Sequence, residues 1–262
     1  MPERRTIEVG GKRIRMLVGG QGPTLLYLHG VGADVDWLEA HERLAARFTV
    51  HLPAHPGFDD STGVEEIDGV LDYVLHYVDL LDVLGLAAAP VVGTSLGGWI
   101  AAELAALYPE RVAKLVLVDA VGLWIDAAPL GELFGSTPPE LAQLLFHDQQ
   151  HPIAQMLRAI TSFAEVPEEL ALAQMKAMEA AAKIGWNPYL HDPKLERRLR
   201  RVTAPTLVLW GREDAFAPLV YGERWRDRIP GARLEVIAAC GHLPPVERPE
   251  AFAAAVAGFL AA

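Results

Sequence analysis

The chain has 262 residues, 51% of them hydrophobic, enough to bury one large core, which excludes a small disulfide-stapled scaffold. Its 34 acidic and 23 basic side chains leave a formal charge of −11, a field that repels nucleic-acid backbones and anionic membrane surfaces. One cysteine, Cys240, makes neither an internal disulfide nor a CxxC pair, and the expectation is a reduced, cytoplasmic protein.

In chain order, Met1-Pro2-Glu3-Arg4-Arg5 runs into the alternating Thr6–Val9 without the apolar core of a signal peptide. Thr6–Val9 reads as an antiparallel edge strand, joined through Gly10-Gly11 to a strand over Arg13–Val18. Short runs rich in Val, Leu and Ile then predict strands at Thr24–Leu28, Phe48–Leu52, Pro90–Thr94, Lys114–Asp119, Pro205–Trp210 and Leu234–Ile237. Helical spacing alternates with them at Trp37–Ala46, Val64–Leu84, Leu96–Tyr108, Tyr221–Arg228 and Pro249–Leu260, with Gly85 and Pro109 as stops. The pattern is that of an α/β fold, a mostly parallel, doubly wound sheet with helices on both faces.

One connection is far too long for a single crossover helix: Ala120–Ala204 spans about 85 residues where a dozen suffice. Inside it, Pro138–His147, Pro152–Phe163, Pro167–Ile184 and Pro193–Arg201 read as helices, each opened by a proline. The expected organisation is a core of residues 1–119 and 205–262 carrying residues 120–204 as an inserted helical cap.

Gly93-Thr94-Ser95-Leu96-Gly97 stands where the Pro90–Thr94 strand meets an apolar helix, so G-x-S-x-G occurs in the strand-turn-helix setting that gives it meaning. A serine on so sharp a turn projects its hydroxyl only if the residues two before and two after lack colliding side chains. With four serines and 23 glycines, composition alone supplies roughly 0.03 such matches. A serine hydroxyl needs a base, and the base an orienting acid. His242 follows the last strand and Asp214 the strand before it, so both reach the carboxyl edge of the sheet where Ser95 sits. Ser95, Asp214, His242 is the chain order expected of this arrangement.

On these residues the chain resembles the α/β-hydrolase family over nearly its whole length, and is most similar to serine esterases with a helical cap. Leu28-His29-Gly30-Val31-Gly32 resembles the family's His-Gly turn, which implies backbone N–H groups of Val31 and Leu96 as the oxyanion hole. It also implies that His29 is a structural part of that turn. His55-Pro56-Gly57-Phe58-Asp59-Asp60-Ser61 departs from the family's Pro-Gly-x-Gly-x-Ser loop, with Asp59 at the second glycine. Asp119, ending an earlier strand, is a rival for the acid, and Asp214 is favoured because Gly-x-x-Asp after its strand is the commoner arrangement.

Other constellations are weaker. His51 with His55, and His147 with His151, have a four-residue spacing but lack the glutamate of HExxH, so no metal is expected. No GxGxxG or P-loop follows a strand, so no cofactor is expected either. Cys240 reads as a small buried hydrophobe. Within the cap, Trp124, Phe146 and Trp186 are the candidates for lining a pocket. The resulting expectation is a cytoplasmic serine hydrolase that cleaves small, uncharged or apolar carboxylic esters and has no nucleic-acid or membrane partner. Cleavage of C–C bonds, lactonase or perhydrolase chemistry with the same triad, and a hydrolase-like ligand receptor are the alternatives.

Overall fold

Strand β3 (Thr24–Leu28) shows how the sheet is built: Leu25 and Tyr27 pack into one apolar cluster, Leu26 and Leu28 into another on the opposite face. Both faces are therefore covered, and each fully buried aliphatic side chain contributes about 1.5–3 kcal/mol. The computed structural model describes residues 1–162 and 166–262. Its other strands are β1 (Glu3–Val9), β2 (Lys12–Gly19), β4 (Thr49–Pro53), β5 (Ala89–Thr94), β6 (Val112–Val118), β7 (Thr206–Gly211) and β8 (Arg233–Ile237). They form one sheet in the order β1-β2-β4-β3-β5-β6-β7-β8. β1 and β2 pair antiparallel, as does β2 with β4, and every pair from β4 across to β8 is parallel.

One face is covered by α2 (Val70–Val83), α3 (Leu96–Leu107) and α8 (Val220–Arg228), whose Tyr73, Tyr77, Trp99, Ile100, Tyr221 and Trp225 are buried. The other is covered by α1 (Glu39–Ala45) and α10 (Pro249–Ala261), through Ala40, Leu44, Phe252 and Val256. A short α9 (Pro244–Glu247) precedes α10.

Two predicted helices are shorter than expected. Val64–Leu84 divides into a 3-10 turn at Val64–Glu66 and α2 proper. The Asp72 carboxylate accepts the N–H groups of Asp68 (2.8 Å) and Gly69 (2.9 Å) and so sets a helix start after them. Trp37–Ala46 begins only at Glu39, because the ring Nδ1 of His41 accepts from Leu38 N–H at 3.0 Å and caps α1 there.

The long connection between β6 and β7 carries α4 (Pro138–Leu145), α5 (Pro152–Ala159), α6 (Glu168–Gly185) and α7 (Leu195–Arg198). The second of them stops at Ala159, short of the expected Phe163, because Ile160 turns the backbone out of the helix at ψ 105°; Phe163 itself lies outside the described residues. No described helix is long and apolar enough to cross a membrane.

Candidate active site

Ser95 sits between β5 and α3 with φ 51° and ψ −111°, a strained backbone for a residue with a side chain. The flanking glycines are sterically required. A Cβ on Gly93 would lie 2.4 Å from the Gly97 carbonyl oxygen, and one on Gly97 would lie 2.1 Å from that of Leu28. The turn is tied into the sheet, with Ser95 N–H donating to Val118 O at 2.8 Å.

The three residues separated in sequence meet at this point. His242 Nε2 lies 2.9 Å from Ser95 Oγ, and His242 Nδ1 lies 2.7 Å from Asp214 Oδ2. Asp214 reaches the ring because its Oδ1 accepts the N–H groups of Phe216 and Ala217, each at 2.8 Å, in the loop after β7. All three side chains are buried, Ser95 being 9% exposed. The Phe216 ring packs 4.6 Å from the imidazole, centroid to centroid.

The two residues expected to supply oxyanion donors belong to segments that border Ser95. Leu96 is the first residue of α3, where a helix leaves its N–H without an intrahelical partner. Val31 follows Gly30, whose absent side chain would lie 3.3 Å from Ser95 Cβ. His29 underpins that turn: its Nε2 accepts from His55 N–H at 2.9 Å, while His55 Nε2 lies 2.7 Å from His29 O. Burial pushes the His29 imidazole well down and that of His55 down to about 4, so both serve as neutral hydrogen-bonding groups.

The remaining candidates scatter. Phe146 is buried in a cluster with Ala142, Ala154 and Leu243, and its ring stacks on His151 at 5.3 Å. Trp124 is 38% exposed and stacks on His191, and Trp186 is 67% exposed against Phe134. Phe146 thus belongs to the same apolar cluster as the residue after His242, whereas both tryptophans are exposed. Cys240 is buried, and burial pushes its thiol far above the usual range. His151 Nδ1 accepts from Ile153 N–H, and His55 Nδ1 pairs with the Tyr77 hydroxyl, so each is engaged in local structure. Asp59 adopts φ 49°, where the family pattern has glycine, and its carboxylate pairs with the buried Arg15 at 2.5 Å.

Three further carboxyl groups lie around the Asp214–His242–Ser95 line, of which the sequence singled out only Asp119. Asp119 and Asp214 offer atoms that lie with one from His242 within 4.8 Å of one another, although His242 Nδ1 and Asp214 Oδ2 are engaged with each other. Asp34 is buried, accepts Gly30 N–H at 2.8 Å, and has its carboxyl pushed up to about 6, chiefly by burial. Glu247 is buried on the other side and accepts Gly241 N–H at 2.6 Å. The sequence reading missed both: Asp34 carried one local signal, a carboxyl four residues beyond Gly30, whereas Glu247 reaches His147 and Asp148 about a hundred positions away.

A family model described as the alpha/beta hydrolase fold matches residues 23–249. The chain is 31% identical over 268 residues to a 2-hydroxy-6-oxo-6-phenylhexa-2,4-dienoate hydrolase of Burkholderia cepacia, covering 95% of this chain and 91% of that one. It is 32% identical over 267 residues to a 2-hydroxymuconate semialdehyde hydrolase of Pseudomonas sp. strain CF600, covering 98% and 93%. Among solved structures, a bacterial membrane phospholipase A superposes with a TM-score of 0.82 at 28% identity, over 99% of this chain and 86% of that one.

Proposed function

The chain belongs to the alpha/beta hydrolase fold family, and on that premise we propose that it is a serine hydrolase acting on uncharged carboxylic esters. The observation that carries this reading is the continuous hydrogen-bonded line from Asp214 through His242 to Ser95, at 2.7 and 2.9 Å. Ser95 Oγ attacks the ester carbonyl as His242 Nε2 takes its proton, and Asp214 stabilises the imidazolium so formed. The N–H groups of Val31 and Leu96 hold the developing oxyanion, a contribution of about 10²–10³ in turnover per donor. Collapse of the tetrahedral intermediate releases the alcohol, which receives the proton from His242. Water, deprotonated by the same ring, then attacks the acyl-enzyme and frees Ser95.

The choice of an uncharged ester rests on the electrostatics around the nucleophile. Asp34, Asp214 and Glu247 are buried around the nucleophile, and the whole chain carries a charge of −11. A substrate bearing its own carboxylate is disfavoured in such surroundings.

The relatives support a second reading. Two of them are named as hydrolases of a dienoate and of a muconate semialdehyde, substrates opened at a C–C bond beside a carbonyl. The same serine, base and oxyanion donors serve that reaction, with a carbon leaving group replacing the alkoxide.

Comparing kcat/KM for p-nitrophenyl butyrate and for 2-hydroxy-6-oxo-6-phenylhexa-2,4-dienoate separates the two. The ester is expected to be favoured by more than about tenfold. A reversed order assigns the enzyme to C–C hydrolysis.

A further inference from the structure

Asp119 occupies a position that the triad alone does not explain. It follows β6 with φ 44°, in the left-handed region that a side chain disfavours, and is fully buried. Its backbone is fixed by the elements that carry the reacting residues. Its N–H donates to Leu209 O on β7 at 3.1 Å, while its neighbours Val118 and Val121 bond the backbone of Ser95 at 2.8 and 3.3 Å.

The donors available to the two adjacent carboxyls are unequal. Asp214 accepts three: Phe216 N–H and Ala217 N–H on Oδ1, and the His242 ring on Oδ2. Asp119 accepts one, Gly211 N–H at 2.9 Å on Oδ1, and its buried Oδ2 has no partner among the described residues. Two ionised carboxylates offer only acceptors to each other, so Oδ2 is satisfied against Asp214 only if it bears a proton. The group with three donors holds the charge, and the group with one holds the proton. Glu247, Cys240 and His242 make up the rest of the ionisable surroundings of Asp119, and the His242 ring is engaged with Asp214 Oδ2. Burial, followed by the Asp214 charge, pushes the Asp119 carboxyl well up.

The geometry points to Asp119 as a protonated positioning residue that donates its O–H to the Asp214 carboxylate and extends the triad to a line of four. This rests on the proposed serine-hydrolase reading. Asp119 acts through Asp214: it holds the carboxylate in place beneath the imidazole, and by donating to one of the Asp214 lone pairs it keeps the catalytic proton on His242. Its own proton does not move during the reaction.

Asn at this position retains a donor and an acceptor, whereas Leu retains only the shape. Asp119→Asn is therefore expected to keep kcat within about threefold of the unmodified enzyme, and Asp119→Leu to lose about 10- to 100-fold in kcat with little change in KM. The infrared difference between the unmodified protein and Asp119→Asn at neutral pH is expected to show a protonated-carboxyl C=O band lost in the variant. Absence of that band, or an Asn variant as damaged as the Leu variant while still folded by circular dichroism, overturns the proposal. Should the Leu variant not fold, the infrared comparison still decides. Because the band is read without substrate, its outcome is independent of the serine-hydrolase reading, which fails separately if Ser95→Ala keeps full turnover.

Discussion

The backbone N–H of His242 donates to the carbonyl oxygen of Leu145 at 2.9 Å, joining the proposed base to the last residue of α4. Glu247 strengthens the junction. Its carboxylate accepts Gly241 N–H at 2.6 Å and, from the segment after α4, Asp148 N–H at 2.8 Å and His147 N–H at 3.3 Å. The insertion between β6 and β7 is thereby latched to the loop that carries His242.

Removing that carboxylate leaves three backbone donors without their acceptor, the Gly241 N–H among them in a buried residue. Glu247→Ala is expected to lower Tm by more than about 4 °C and to reduce kcat more than it raises KM. Thermal unfolding and steady-state kinetics check this together; a variant with unchanged kcat contradicts the latch.

The acid assignment is decided by comparing two amides. Asp214→Asn removes the charge that accepts from His242 Nδ1 and is expected to cost about 10³–10⁴ in kcat, since the ring then favours the wrong tautomer. Asp119→Asn is expected to cost at most a few-fold. The opposite ranking moves the acid to Asp119.

Gly97 is held to glycine by contact rather than by dihedral angle. A methyl group there would lie 2.1 Å from Leu28 O and 2.5 Å from His29 O, both backbone atoms that cannot rotate away. Gly97→Ala is expected to displace Leu96 from the oxyanion position and lose at least about 10²-fold in kcat/KM. Near-normal activity in that variant would show the turn to be looser than described.

Stability should fall with acid in a defined window. Burial pushes His55 down to about 4, and His41 and His76 down to about 3, from an ordinary value of 6.5; His29 is pushed well down by the same cause. The unfolded chain then binds protons that the fold refuses, so their contribution is intact above about pH 6.5 and is lost as pH falls toward 4 and 3. Asp34, raised to about 6, and Asp119 and Glu103, also raised, act in the opposite sense, but His51 is lowered by burial too, and five imidazoles outnumber three carboxyls. Tm is expected to drop by more than about 5 °C between pH 7 and pH 5, and less steeply in His76→Gln. A Tm that rises over that interval contradicts the sign.

Much of this site was legible in the sequence because the relevant physics is local. Gly93 and Gly97 declare a turn with no room for side chains, and Asp214 and His242 each follow an apolar run that ends at the same sheet edge. The break at Gly69 was legible only in part, since helical spacing continues across it and the capping carboxylate, Asp72, lies beyond the break. Glu247 and the pairing of Asp119 with Asp214 depend on contacts between residues about a hundred positions apart. Pattern within a window cannot report them. The aromatic residues of the insertion illustrate the same limit: residue type and location marked Trp124, Phe146 and Trp186 alike, yet of the three only Phe146 is buried, in a cluster with Leu243.

The central claim is that Ser95 is the nucleophile, and it is tested most directly by trapping the acyl-enzyme. With p-nitrophenyl butyrate and rapid acid quench, intact-mass spectrometry is expected to show one butyryl adduct that peptide mapping places on Ser95. Ser95→Ala is expected to show no adduct and a loss of at least about 10⁴ in kcat. An adduct on another residue, or full turnover by Ser95→Ala, would contradict the account.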